Sequence, residues 1–136
     1  MREIKFRGKD LNTGEWFYGD LEIHRKDSRR LIHSYNADGD YNRQYDVDED
    51  TIGQFTGLYD SRNTPIYEGD IIESNRIIRH LIGYSIEEAR FCCTPTQYVG
   101  DEDFERCERS GLDQKWINEF GKVVIGNKYD NPELLK

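Results

Sequence analysis

Two stretches of this chain alternate apolar and polar residues with a period of two, which is the spacing of a half-buried strand. In the first, Ile4 and Phe6 alternate with Lys5 and Arg7, and Phe17, Leu21 and Ile23 then interleave with Tyr18, Asp20 and Glu22. Between them "DLNTGE" carries Asn12 and Gly14, residues suited to a reversal. Residues 2–24 therefore predict a hairpin. In the second, "GLYDSRNTPIYEGDII" at 57–72 sets apolar segments around two polar knots. Asp60, Ser61, Arg62 and Asn63 hydrogen-bond their own backbone or tolerate left-handed dihedrals, so "DSRN" predicts a turn. Pro65 cannot donate to a ladder and belongs at the start or edge of the next strand. In "EGD", Gly69 accepts positive φ and Asp70 can tie the bend with its carboxylate, predicting a meander over 52–74.

The rest of the chain is less regular. Residues 25–50 are polar apart from "LIH" and a few tyrosines, which predicts an excursion with one short strand. In 76–93, Ile82, Tyr84 and Ile86 alternate as in a strand, while Ser85 and Glu88 have the spacing of a helix capping box; strand–turn–strand is the preferred reading. The stretch 94–115 is charged and turn-rich, with one helical turn expected around Phe104. At the end, Val123 and Ile125 predict a strand over 120–129, "YDNP" a turn, and Pro132 the first residue of a short helical turn. The expectation is a mainly β protein whose antiparallel hairpins and meander form a small barrel-like, SH3-like core with polar excursions and little helix. It is read as a single domain over 1–136, with two small lobes of about 1–50 and 51–136 sharing a core as the alternative. Phe6, Phe17, Leu21, Phe55, Leu58, Ile66, Ile71, Tyr84, Phe91, Val123 and Ile125 are the expected core.

Composition sharpens this picture. Of 136 residues, 35% are apolar and 34% charged, so the core leans on nine Tyr, six Phe and two Trp; aromatic side chains suit pleated, half-buried surfaces. No apolar run reaches membrane-spanning length and "MREIKFRGKD" has no apolar signal core, so the expected location is the cytoplasm, with no membrane association. Three cysteines, two of them adjacent at 92 and 93, make no even disulfide framework, and reduced thiols are expected. The net charge of -8 disfavours long-range attraction to phosphate backbones, leaving two local basic patches: residues 2–9 and "HRKDSRR" at 24–30.

Three segments, "REIKFRGKD", "TIGQFTGLYDSRNTPIYEGDII" and "VVIGNKYDNPELL", stand in an order that resembles the YopX-like family of small phage and prophage proteins. The resemblance implies a predominantly β fold, a phage or prophage origin in a bacterial host cell, and no assigned biochemical role. It supplies no catalytic residues. Gly57, Asp60, Glu68, Gly69 and Asp70 are read as turn-forming residues.

Candidate chemistry is sparse. Asp38, Asp40, Asn42, Asp46 and Glu49 stand at positions one, three, five, nine and twelve of a calcium loop, but Arg43 occupies the position where that loop requires glycine. The residual expectation is at most incidental calcium binding by an acidic connection. Cys92, Cys93, Cys107 and His80 match no zinc spacing; adjacent cysteines on a strand point to opposite faces, one inward and one outward. His24, His33 and His80 lack the flanking residues of an acid–base site. No cofactor, metal or catalytic residue is therefore assigned. The leading expectation is a non-catalytic protein-binding or assembly module whose partner is a phage or host protein, with pairing of sheet edges between copies of the chain as a further route to assembly. The alternative is a nucleic-acid-binding β module that presents Trp16, Tyr18 and Tyr41 beside Arg25, Lys26, Arg29 and Arg30. An unrecognised enzyme is the third.

Overall fold

The computed structural model describes residues 1–75, 77–100 and 112–135. It is mainly β. Its strands are β1 (Phe6–Lys9), β2 (Trp16–Ile23), β3 (Arg30–Tyr35), β4 (Tyr41–Asp46), β5 (Gly53–Tyr59), β6 (Pro65–Tyr67), β7 (Asp70–Ser74), β8 (Ile78–Ser85), β9 (Arg90–Pro95) and β10 (Val123–Asn127). One helix, α1 (Gln114–Glu119), and short 3₁₀ turns at Glu49–Thr51, Thr96–Tyr98 and Pro132–Leu135 complete the described elements. The strands form two antiparallel sheets, ordered β4-β3-β2-β1-β5-β6 and β10-β7-β8-β9. Neither order returns to its first strand, so the expected barrel-like, SH3-like closure is corrected to two open sheets. Among the described residues no helix is long and apolar enough to cross a membrane.

The chain divides into two compact units, Met1–Phe55 and Thr56–Lys136. In the first, β1 and β2 pair antiparallel from Phe6 opposite Gly19 to Lys9 opposite Trp16. The Asp10 carboxylate holds the intervening turn by accepting from the backbone N–H groups of Asn12 and Thr13. The polar excursion expected over 25–50 with one short strand is in fact a two-stranded hairpin, β3 paired with β4 from Leu31 opposite Asp46 to Tyr35 opposite Tyr41. Only Leu31 and Ile32 of this hairpin are fully buried, and with Val47 and Phe55 they make the apolar interior of the unit. A strand whose outer residues are Asn, Arg and Gln shows no apolar alternation, which is why β4 escapes a hydrophobicity reading.

In the second unit Ile66, Ile72, Ile82, Cys93 and Ile117 form one buried cluster, with Leu58, Leu112, Trp116 and Val124 packed against it. The alternation between β8 and β9 is strand–turn–strand, as read from sequence, and the Ser85 hydroxyl accepts from the N–H of Glu88 to hold the turn. The face assignment within β8 differs from expectation: Ile82 is buried, while Tyr84 and Ile86 are exposed near and beyond the strand end. Cys92 and Cys93 are both completely buried, which corrects the expectation of one inward and one outward thiol. Cys92 is disulfide-bonded, correcting the expectation of reduced thiols there, while Cys93 is in no disulfide. Helix α1 was not anticipated. Asp113 caps it by accepting from the Trp116 N–H, Ile117 is its buried residue, and Gln114 pairs through its amide with both the N–H and the carbonyl of Tyr59. The helical turn expected around Phe104 and the zinc candidate Cys107 lie outside the described residues.

Candidate functional site

The basic segment at 24–30 folds into a tight turn between β2 and β3 because Asp27 sits at its centre. Its carboxylate accepts from the Arg29 N–H, pairs with His24 Nδ1 at 2.7 Å and takes the Arg29 guanidinium at 3.1 Å. The backbone bond from Arg29, followed by the His24 contact, lowers the Asp27 pKa. Arg29 also reaches Asp46 and Arg30 reaches Glu49. Arg25 and Lys26 are exposed in the turn. Two of the four cations of the candidate patch, Arg29 and Arg30, are thus paired with Asp27, Asp46 and Glu49. A cavity of about 500 Å³ beside Arg29 and Arg30 is walled by Asp48 as well as those three acids. Acids beside Arg29 and Arg30 weaken the local field that would attract a polyanion.

The aromatic half of that candidate site is partly covered. The Trp16 ring carries the Arg7 guanidinium 4.6 Å from its centroid and the Lys9 ammonium 5.5 Å away, so cations of the chain itself occupy the stacking surface. Tyr18 lies two residues further along the same side of β2, which it shares with Asp20 and Glu22. Asp20 is opposite His33 in the β2–β3 register, which brings His33 and Tyr35 to that side as well. The contacts agree. His33 Nε2 lies 2.9 Å from the Glu22 carboxylate, Asp20 hydrogen-bonds the Tyr35 phenol, and Tyr41 meets Tyr35 edge-on at 6.1 Å and His33 at 6.0 Å. Tyr18, Tyr35 and Tyr41 are each roughly half exposed, at 46%, 48% and 55%. The structure therefore brings Tyr18 and Tyr41 onto one exposed face with Tyr35, while Trp16, on the same side of β2, is half-buried and covered by Arg7 and Lys9. Tyr35 and the acidic pair were absent from the sequence-derived candidates. The signal for Tyr35 was present in "LIHSY", where His33 and Tyr35 are two apart.

The carboxylates of the conspicuous middle motif point into the backbone. Asp60 accepts from the N–H groups of Arg62 and Thr64 through one oxygen and from Val124 through the other, at 2.8, 2.8 and 2.9 Å. Asp70 accepts from Tyr67 N–H at 2.8 Å. Gly57 and Gly69 have φ of +83° and +89°, where a side chain would be strained. Glu68 stands with Gly69 in the turn before β7. The acidic run tested as a calcium loop is a hairpin turn followed by β4, an extended segment in which Asn42 and Asp46 belong to the strand, and Asp46 and Glu49 are engaged by arginines. Among the described residues no group of three or more His, Cys, Asp or Glu is placed to hold a metal ion.

The YopX protein family model matches residues 5–136. Among solved structures, that of protein EF1440 from Enterococcus faecalis is similar with a TM-score of 0.60 and 24% sequence identity, covering 100% of both chains; a likeness at that identity shows the fold. No curated protein matches the chain. With hydrogen-bonded turns at its most distinctive motif and a family match over nearly its whole length, the chain belongs to the YopX protein family.

Proposed function

We propose that this chain is a non-catalytic protein-binding or assembly module that engages its partner through the exposed face of β2, β3 and β4. The observation that carries the reading is the grouping of Tyr18, Tyr35 and Tyr41 on that face next to β4, an edge strand of its sheet. Tyrosine supplies large contact area with a polar tip at little conformational cost, and an edge strand offers main-chain hydrogen bonds to a partner's strand. Asp20 and Glu22 between the rings favour a partner with Lys or Arg at the interface. The acids around Arg29 and Arg30 and the cations on Trp16 weigh against a nucleic acid as that partner.

A nuclease-treated pull-down from host cells tests this with three baits: the parent chain, the triple variant Tyr18→Ser, Tyr35→Ser, Tyr41→Ser, and the double variant Arg29→Glu, Arg30→Glu. A defined protein retained by the parent and the arginine variant, and lost from the tyrosine variant, is the expected result. Retention that depends on the arginines and disappears with nuclease would favour the nucleic-acid reading. Turnover of a nucleotide or phosphoester by purified protein, lost on changing one carboxylate or histidine, would replace the non-catalytic reading with an enzymatic one.

A further inference from the structure

Aromatic rings in this chain are repeatedly covered by its own cations. Lys5 lies 4.8 Å from the ring centroid of Phe55, Arg7 4.6 Å from Trp16, Arg43 5.3 Å from Tyr45, Lys122 4.6 Å from Trp116 and Lys128 5.1 Å from Tyr129. Two rings of the tyrosine face depart from that pattern. Among the described residues no lysine or arginine lies over Tyr35 or Tyr41; the two rings meet each other edge-on at 77°, and Tyr41 also meets His33. Both are about half exposed, so their π surface remains in water.

The same face carries acid. Asp20 is exposed, is placed opposite His33 by the β2–β3 ladder, and hydrogen-bonds the Tyr35 phenol. A phenol is a neutral partner, so this contact leaves the carboxylate its charge, and it occupies one of about four lone-pair sites. Glu22, two residues further along that side of β2, holds His33 Nε2 at 2.9 Å, which anchors the imidazole between a second carboxylate and the Tyr41 ring. Open π surface beside an exposed carboxylate supplies both attractions an organic cation needs: the ring quadrupole draws the charge and the carboxylate accepts its N–H groups.

The two basic side chains satisfy such a place differently. A lysine ammonium is a compact, strongly hydrated point charge, whereas an arginine guanidinium is flat, more weakly hydrated, and can stack on a ring while its N–H groups stay in plane for a carboxylate. The net charge of -8 adds a long-range attraction for a basic segment.

We propose that Tyr35, Tyr41 and Asp20 form the anchor for an arginine side chain of the partner protein, its guanidinium stacked on the exposed rings and hydrogen-bonded to Asp20, with Tyr18 and Glu22 flanking it. The inference rests on the reading above that the face of β2, β3 and β4 meets the partner, and it names the group that face recognises.

Amide NMR shifts of the full chain at low salt, titrated with the peptide Gly-Arg-Gly-Arg-Gly blocked at both ends and with its lysine and citrulline counterparts, test it. The account expects saturable shifts centred on residues 18–22, 33–35 and 41 with the arginine peptide at concentrations up to about 10 mM. Citrulline, which keeps the shape and loses the charge, should bind about tenfold more weakly or worse, the equivalent of one charge-assisted hydrogen bond. The lysine peptide should also bind more weakly. Asp20→Asn and Tyr41→Leu, both at exposed positions, should each weaken the arginine peptide severalfold, with the dispersion of their amide spectra showing that they fold; Arg25→Gln, in the turn between β2 and β3, should leave it unchanged. No saturable shift at these residues, equal affinity for the citrulline or lysine peptide, or unchanged affinity in both Asp20→Asn and Tyr41→Leu overturns the inference. The two failures are distinguishable: a partner still lost from the triple tyrosine variant while the arginine peptide does not bind overturns this inference alone, whereas a partner kept by that variant overturns the reading of the face and this inference with it.

Discussion

Asp60 shows how one side chain can organise a segment. It is 4% exposed, and its two oxygens take three backbone N–H groups, one of them from β10 some sixty residues away. Replacing it with Ala strands those donors, and a cost of about 3 kcal/mol is expected from loss of a buried, charge-assisted set. Urea unfolding of Asp60→Ala measures it; a midpoint equal to that of the parent would show that the carboxylate is dispensable. Its local role was readable from "DSRN", because an Asp at the start of a turn bonds the residues that follow. Its bond to Val124 was not, since sequence spacing carries no information on which distant strand passes by. Tyr35 gives a second residue-scale prediction. Burial of its phenol, then the Asp20 charge and hydrogen bond, raise its pKa above the ordinary value of 10.0. A raised pKa means that the stabilisation is fully present below the ordinary tyrosine range and is lost as pH climbs through the folded value. In a tyrosinate absorbance titration, with Tyr35→Phe identifying the component, Asp20→Asn should move Tyr35 ionisation to lower pH. An unmoved component would contradict the Asp20 contact. The lowered pKa values of Asp10, from its backbone bonds to Thr13 and Asn12, and of Asp27 act in the opposite sense, their contributions fading as pH falls through their folded values below 3.8.

At the scale of elements, alternation and turn chemistry located β1, β2, β5, β7 and β10. They failed where burial is shared between few residues. β3 buries an adjacent pair, Leu31 and Ile32, and β4 almost nothing, so neither has a period to detect. The short α1 has one fully buried residue, Ile117, too few for a helical stripe. Tyr84 marks the limit of period-two reasoning: it shares the face of Ile82 by spacing but lies at the strand end, where the interior no longer reaches. Ile82→Ala should therefore cost about 2 to 5 kcal/mol, while Tyr84→Ala should cost well under half of that. Thermal melts of the two variants decide it, and equal losses would put Tyr84 back in the core. In β2, a Cβ added to Gly19 would fall on the His33 carbonyl oxygen. Gly19→Ala should consequently separate β2 from β3, visible as faster amide hydrogen exchange at Leu21 and Ile23 than in the parent; unchanged exchange would mean that the strands part without loss.

On the scale of the molecule, charge is the property most easily misread. The net charge of -8 weighs against a polyanion partner, but "HRKDSRR" still stands out in the sequence as a basic island. Folding places Asp46 and Glu49, distant in sequence, against Arg29 and Arg30, and no local reading of 24–30 contains them. The same hairpin that brings those acids brings Tyr41 to Tyr35, so one structural event weakens the basic patch and creates the tyrosine face. The central claim is that this face, and not the basic turn, meets the partner. Site-specific photocrosslinking in host cells tests it most directly, with benzoylphenylalanine placed in one chain at Tyr41 and in another at Arg25. The account predicts a discrete protein adduct, a second copy of the chain included, from position 41 and none from position 25; a nuclease-sensitive adduct from position 25 with nothing at position 41 would contradict it.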